Sequence, residues 1–143
     1  VNAAARAEAI DKRGKRPYIE RANITRKDAK RMLCSDLARL LNATEKTPGA
    51  GRNVSCAYAC DLLSHALAHG REGMAFITVR PGMNTVAVAV LTKSVCIILP
   101  DGVEMEPPVL EKARAEGIDV LSSPLTGYEI CARMAAAGVP PVA

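Results

Sequence analysis

The chain has no tryptophan, one phenylalanine and three tyrosines. Its core must therefore be built from valine, leucine, isoleucine, alanine and methionine. The five cysteines, at 34, 56, 60, 96 and 131, are odd in number and contain no CxxC pair. That excludes a disulfide framework and predicts reduced thiols in a cytoplasmic protein, some of them serving as small core hydrophobes. No apolar run reaches the roughly 18–20 residues of a membrane span, because Thr92, Lys93 and Ser94 interrupt the best candidate. No apolar h-region opens the chain, so no secretory signal is expected.

Catalytic motifs are missing as well. There is no GxxxxGK[ST] phosphate loop and no GxSxG elbow, and Gly49-Ala50-Gly51 is not followed by the third glycine of a dinucleotide fingerprint. The two histidines, His65 and His69, stand together, so any Ser/His/Asp or Cys/His constellation would have to use that pair. The expectation is a protein without catalytic residues of its own and without a cofactor.

What is present is enough sequence for one domain. A chain of 143 residues buries roughly 70% of its unfolded surface. The net charge of +4 is unevenly spread. Residues 1–31 carry ten Lys/Arg against four acids, or +6, whereas residues 32–143 carry nine against eleven, or −2. This divides the chain into a basic N-terminal extension, 1–31, and a mildly acidic body, 32–143. Two readings of the extension stand open: a solvated tail, or a docking arm that lies on an acidic partner or on phosphates. No nucleic-acid motif accompanies the charge and Tyr18 is the one aromatic nearby, so nucleic acid is not an expected partner.

Along the body, Thr25 and Asp28 resemble a capping box that would start a helix near Arg26, with Met32, Leu33, Leu37, Leu40 and Leu41 on one face; Ser35-Asp36 is an alternative start after a break at Cys34. Residues 42–52 read as a turn-rich connector. Val54–Ala57 is a short strand candidate, and Asp61 is placed to cap a helix that Gly70 stops. From Gly73 to Ser123 the pattern is strand, crossover, strand, helix, strand. The segment TVAVAVLT alternates well enough for a strand. The 15 residues between Val79 and Val95 instead match a helical crossover between parallel strands, and the helix is expected over about 85–92. A helix over about 108–116 has proline at its start and Gly117 past its end, and a last helix over about 127–137 carries a Thr126/Glu129 capping box. The fold class is α/β: three layers, with a mainly parallel sheet between flanking helices.

In such a sheet ligands gather at the carboxyl ends of the strands, where the βα loops meet. Three loops qualify, and they supply the candidate ligand-binding residues Arg80, Asn84, Thr85, Asp101, Gly102, Ser122 and Thr126. Asn84 is placed to cap the crossover helix. Helix N-termini beside these loops offer free N–H groups to an anion, and Arg80 supplies a counter-charge, so a nucleotide or other phosphorylated ligand fits. A separate reading uses Cys56, Cys60, His65 and His69 as a metal or thiol redox site, because two histidines one helical turn apart can grip one ion. HALAH lacks the glutamate of HExxH.

The segments SCAYACDLLSHAL, GMAFITVRPGMNTVAVAV and CIILPDGVEMEPPVLEKARAEGIDVLSSPLTGYEICARMAAAG resemble a stand-alone DRTGG domain protein over about residues 33–138. The eponymous residues are replaced: Met83-Asn84 stand where Asp-Arg would fall, and Pro100-Asp101-Gly102 where Thr-Gly-Gly would fall. The resemblance implies a fold like the N-terminal domain of HPr kinase, whose relatives occur in phosphotransacetylases and between the CBS domains of some pyrophosphatases. It implies a regulatory or dimerising module, with catalysis elsewhere. Stand-alone members are commonly encoded beside iron-only hydrogenase and related redox subunits, so the resemblance implies an accessory role, as a homo-oligomer or docked on a larger redox enzyme.

Overall fold

The computed structural model describes residues 31–47 and 51–142. The reading of residues 1–30, including the capping box at Thr25 and Asp28, lies outside them. The described elements are α1 (Cys34–Leu40), β1 (Thr44–Thr47), β2 (Cys56–Ala59), α2 (Leu63–His69), β3 (Met74–Ile77), α3 (Met83–Leu91), β4 (Cys96–Leu99), α4 (Pro107–Ala115), β5 (Asp119–Ser122) and α5 (Gly127–Ala136). The strands form one sheet in the order β1-β5-β4-β3-β2. β2, β3, β4 and β5 run parallel, and β1 pairs antiparallel with β5 at one edge.

Every residue of β3, β4 and β5 is buried, as expected of parallel strands covered on both faces. Alternating side chains supply two cores. On one face Ala75, Ile77, Cys96, Ile98 and Leu121 pack with Leu37 and Leu41 around α1 and with Ile130 and Met134 of α5. On the other, Met74, Phe76, Ile97, Leu99 and Val120 pack with Ala66 of α2, Val86 and Ala89 of α3 and Ala113 of α4. The three-layer α/β architecture read from the sequence is the one observed. Phe76, the single phenylalanine, is fully buried at the centre of the second core.

The structure corrects several local readings. The connector over 42–52 contains β1. Its sequence, TEKT, has no apolar alternation because it is an edge strand with only its last residue buried. Thr47 holds the irregular end of the ladder: its hydroxyl donates to the Ile118 carbonyl and accepts from the Val120 N–H, both at 2.9 Å. The strand expected at Val54–Ala57 begins at Cys56, because Val54 donates instead to the Met32 carbonyl at 2.7 Å. Helix α1 starts at Cys34, with the Asp36 carboxylate accepting from the Leu33 N–H at 3.0 Å. Helix α3 starts at Met83, with Gly82 as its N-cap, so Asn84 sits in the first turn and is not the cap. The TVAVAVLT segment is helical, as the crossover length predicts. At the far edge, residues 140–142 lie against β2: Ala57 donates to the Pro140 carbonyl and Val142 donates back to that of Ala57. That pairing covers an edge which would otherwise expose unpaired backbone groups.

Candidate functional site at the carboxyl edge of the sheet

The loop that follows β3 organises this edge. Thr78 is buried, and its hydroxyl donates to Asp61 Oδ1 at 2.9 Å while accepting from the Arg80 N–H at 3.2 Å. The same Asp61 oxygen accepts from the Val79 N–H at 2.9 Å. Asp61 was expected to cap α2, but α2 is capped by Leu62 without a side-chain hydrogen bond. The Asp61 carboxylate crosses to the neighbouring strand end and fixes the course of residues 78–80. Charge-assisted hydrogen bonds of this kind are the stronger class.

Beyond Arg80 the chain turns into α3 around a hollow of about 390 Å³, lined by Leu63, Arg80, Pro81, Gly82, Met83, Asn84 and Thr85. The first backbone N–H groups of α3, those of Met83 and Asn84, have no hydrogen-bond partner among the described residues. Gly82 has no side chain to cap them. Thr85 is fully buried, and its Oγ1 is the one buried side-chain nitrogen or oxygen without a partner among the described residues. The Arg80 side chain makes no ion pair among the described residues either. Of the seven candidate residues, Arg80, Asn84 and Thr85 line this one hollow.

A second, neighbouring crevice of about 340 Å³ lies on the α5 side of the same edge. Ala59, Cys60 and Asp61 come from the end of β2, Ile77, Thr78 and Val79 from β3, Pro100 and Asp101 from β4, and Gly127, Tyr128 and Cys131 from α5. Asp101 and Gly102 both have positive φ, 56° and 69°, in a tight turn closed by Val103 donating to the Pro100 carbonyl at 3.0 Å. An Asp-Gly pair suits that turn, because both central residues need the left-handed region. Tyr128 is 88% exposed at the rim. Burial pushes the Cys131 thiol up from its ordinary range, so it stays protonated at neutral pH. An apolar groove of about 230 Å³ between α5 and β2 shares Ala59, Ile77 and Cys131 with this crevice.

The remaining candidates are engaged in holding the scaffold. The Ser122 hydroxyl donates to the Val103 carbonyl at 2.8 Å. Thr126 Oγ1 accepts from the Glu129 N–H at 3.2 Å and caps α5, while the Glu129 carboxylate pairs with Arg133. Gly102 donates to the Ser123 carbonyl. The Cys56, Cys60, His65 and His69 set is not assembled. Cys56 is buried within the sheet, the two histidine rings stack 4.1 Å apart, and His69 Nδ1 is 2.9 Å from the His65 carbonyl. Among the described residues no group of three or more His, Cys, Asp or Glu side chains comes close enough to hold a metal ion. Asp61, Thr78, Cys60 and Tyr128 were missed as edge residues. The one available signal was Thr78, a polar residue inside the apolar run MAFITV.

At the opposite, amino edge lies a buried titratable cluster. Cys34, Cys96 and Asp119 each begin an element and are almost completely buried. The Cys34 thiol is pushed far up, first by its hydrogen bond with Cys96 and then by burial. Burial also raises the Asp119 carboxyl, partly offset by its hydrogen bond with Cys34 and by the Arg52 guanidinium.

No family model matches the sequence, and no curated protein matches it. Among solved structures the chain is similar to the crystal structure of the CBS and DRTGG domains of the regulatory region of Clostridium perfringens pyrophosphatase, complexed with the activator diadenosine tetraphosphate. The TM-score is 0.66 at 18% sequence identity, over 83% of this chain and 51% of that one. At that identity the likeness shows the fold: a five-stranded, mostly parallel sheet with flanking helices. The chain spans about half the length of that structure. No helix among the described residues is long and apolar enough to cross a membrane.

Proposed function

We propose that this chain is a non-catalytic regulatory domain that senses a small ligand, of the nucleotide or phosphorylated-metabolite class, at the carboxyl edge of its sheet. The observation that carries this reading is the edge itself. Loops from β2, β3 and β4 and the start of α5 converge on two adjacent hollows around one hydrogen-bonded loop, with no histidine in either. Such an edge can bind and position a ligand, but it lacks the paired nucleophile and base of acyl transfer. The structure it resembles in fold is a regulatory region bound to a nucleotide activator, which supports a sensing role and suggests the class of probe.

A thermal-shift panel of AMP, ADP, ATP, diadenosine tetraphosphate and acetyl phosphate on the full chain tests the reading. A ligand at a hundred times its dissociation constant adds about 2.7 kcal/mol of stability, so a clear rise in Tm with at least one nucleotide is expected. A flat response to all five removes the sensor reading.

A regulatory domain also needs a partner. Leu62, Val79, Met83 and Tyr128 are exposed large apolar residues on this same edge, between 40% and 88% accessible, and they favour self-association. Sedimentation velocity is expected to show a dimer whose stability responds to the ligand. Docking on a hydrogenase-type redox enzyme is the finer form of the proposal and rests on the sequence resemblance alone; affinity purification from the native host tests it.

A further inference from the structure

We infer that the hollow at the start of α3 is a phosphate-binding subsite, and that the neighbouring crevice on the α5 side excludes phosphate. This rests on the reading of the carboxyl edge as the ligand-bearing edge and assigns a chemistry to each of its two halves.

Three independent features meet at the α3 hollow. Helix α3 is nine residues long and opens with unpartnered N–H groups on Met83 and Asn84, so the positive end of its dipole faces the hollow. Arg80 contributes the one full charge among the lining residues, and the Asp61–Thr78 hydrogen bonds hold its backbone in place. Thr85, in the hollow's wall, buries a hydroxyl without a partner. A buried hydroxyl left unpaired is costly, and the other buried hydroxyls described, on Thr47, Thr78, Thr92, Ser94, Ser122 and Ser123, are all bonded. The oxygens of one phosphoryl group would share these donors: Thr85 Oγ1, the two free N–H groups and the Arg80 guanidinium.

The starts of α4 and α5 lack this combination. Helix α4 begins with Pro107 and Pro108, which have no N–H to offer. The start of α5 is capped by Thr126 and carries Glu129 in its first turn, and its crevice is flanked by the carboxylates of Asp61 and Asp101. A dianion placed there would meet two like charges. That crevice suits the hydrogen-bond-donating, uncharged part of a ligand.

The test is a ¹H–¹⁵N NMR titration of the full chain with inorganic pyrophosphate and, separately, with ADP, repeated in Arg80→Ala and Thr85→Val. Pyrophosphate is expected to shift the amides of Met83, Asn84 and Thr85. Arg80→Ala should raise its dissociation constant about tenfold, as loss of one charge-assisted contact does. Thr85→Val keeps the shape and removes the hydroxyl. It should weaken binding roughly fivefold while raising the Tm of the unliganded protein, a pairing that a purely structural threonine would not give. Shifts confined to Gly127 and Tyr128, or an unchanged dissociation constant in both variants, overturn the assignment. ADP binding without pyrophosphate binding also overturns it and leaves the sensor reading standing. Pyrophosphate binding at α3 with no response to any nucleotide or acyl phosphate upholds the subsite and removes the sensor.

Discussion

The two ends of the sheet are built from the same strands and treat their polar groups in opposite ways. At the amino end, Cys34, Cys96 and Asp119 are buried against one another. Arg52 closes over that end, donating to the Val95 and Gly117 carbonyls. At the carboxyl end, Arg80 is exposed, and among the described residues two helix N–H groups are free and a hydroxyl is buried without a partner. The amino end turns its polar groups on one another and on the main chain, away from solvent. The carboxyl end leaves hydrogen-bonding capacity unused, and unused capacity is what a ligand site requires.

The largest expected break in this contrast comes from the closed end. Gly73 has φ of 83°, and a Cβ there would overlap Ser55 Oγ. Gly73→Ala is expected to cost about 2 kcal/mol, from left-handed strain and the shift of Ser55, read as a lower midpoint in urea without a changed slope. Ligand binding at the far end should be unaffected.

Asp61→Ala tests the open end. It removes the acceptor that orders residues 78–80, at a cost of about 1 kcal/mol in stability, and it should also weaken pyrophosphate binding. A loss of stability with unchanged binding would separate loop order from the site.

Asp119 sharpens the comparison through pH. Its folded-state carboxyl is raised by burial. A group raised on folding contributes stability that is fully present below its ordinary range and is lost as pH climbs through the folded value. Stability from this residue should therefore fall as pH rises from about 4 toward neutrality. Asp119→Asn should flatten that fall and raise the Tm at pH 7 by about 3 °C. A lower Tm for the variant at pH 7 would mean that Arg52 and Cys34 stabilise the ionised form more than burial destabilises it.

The smallest effect is expected at His65 and His69. Replacing both with alanine should alter stability by no more than about 0.5 kcal/mol, and zinc should not raise the Tm of the unmodified chain. A clear rise with zinc, abolished in the double variant, would restore the metal reading.

The architecture was legible in the sequence because buried parallel strands write themselves as apolar runs: MAFI and CIIL stand out, and the 15-residue spacing settled the crossover. β1 was not legible. TEKT is a polar edge strand whose place depends on a hydroxyl of Thr47 reaching the main chain of residues 118 and 120. The site divides in the same way. Arg80, Asn84 and Thr85 are neighbours in sequence, so loop position alone could group them. Asp61 lies 17 residues from Thr78, and only the parallel pairing of β2 with β3 brings the two together. Its position before LLSHALAH imitates a helix cap, and the tertiary contact won.

Hydrogen–deuterium exchange of the full chain, with and without ADP, measures the central claim directly. Protection is expected over residues 78–85, 100–103 and 126–129, with the amino-end residues 52–55, 93–96 and 117–119 unchanged. Protection at the amino end, or none at any segment under conditions where ADP raises the Tm, would contradict it.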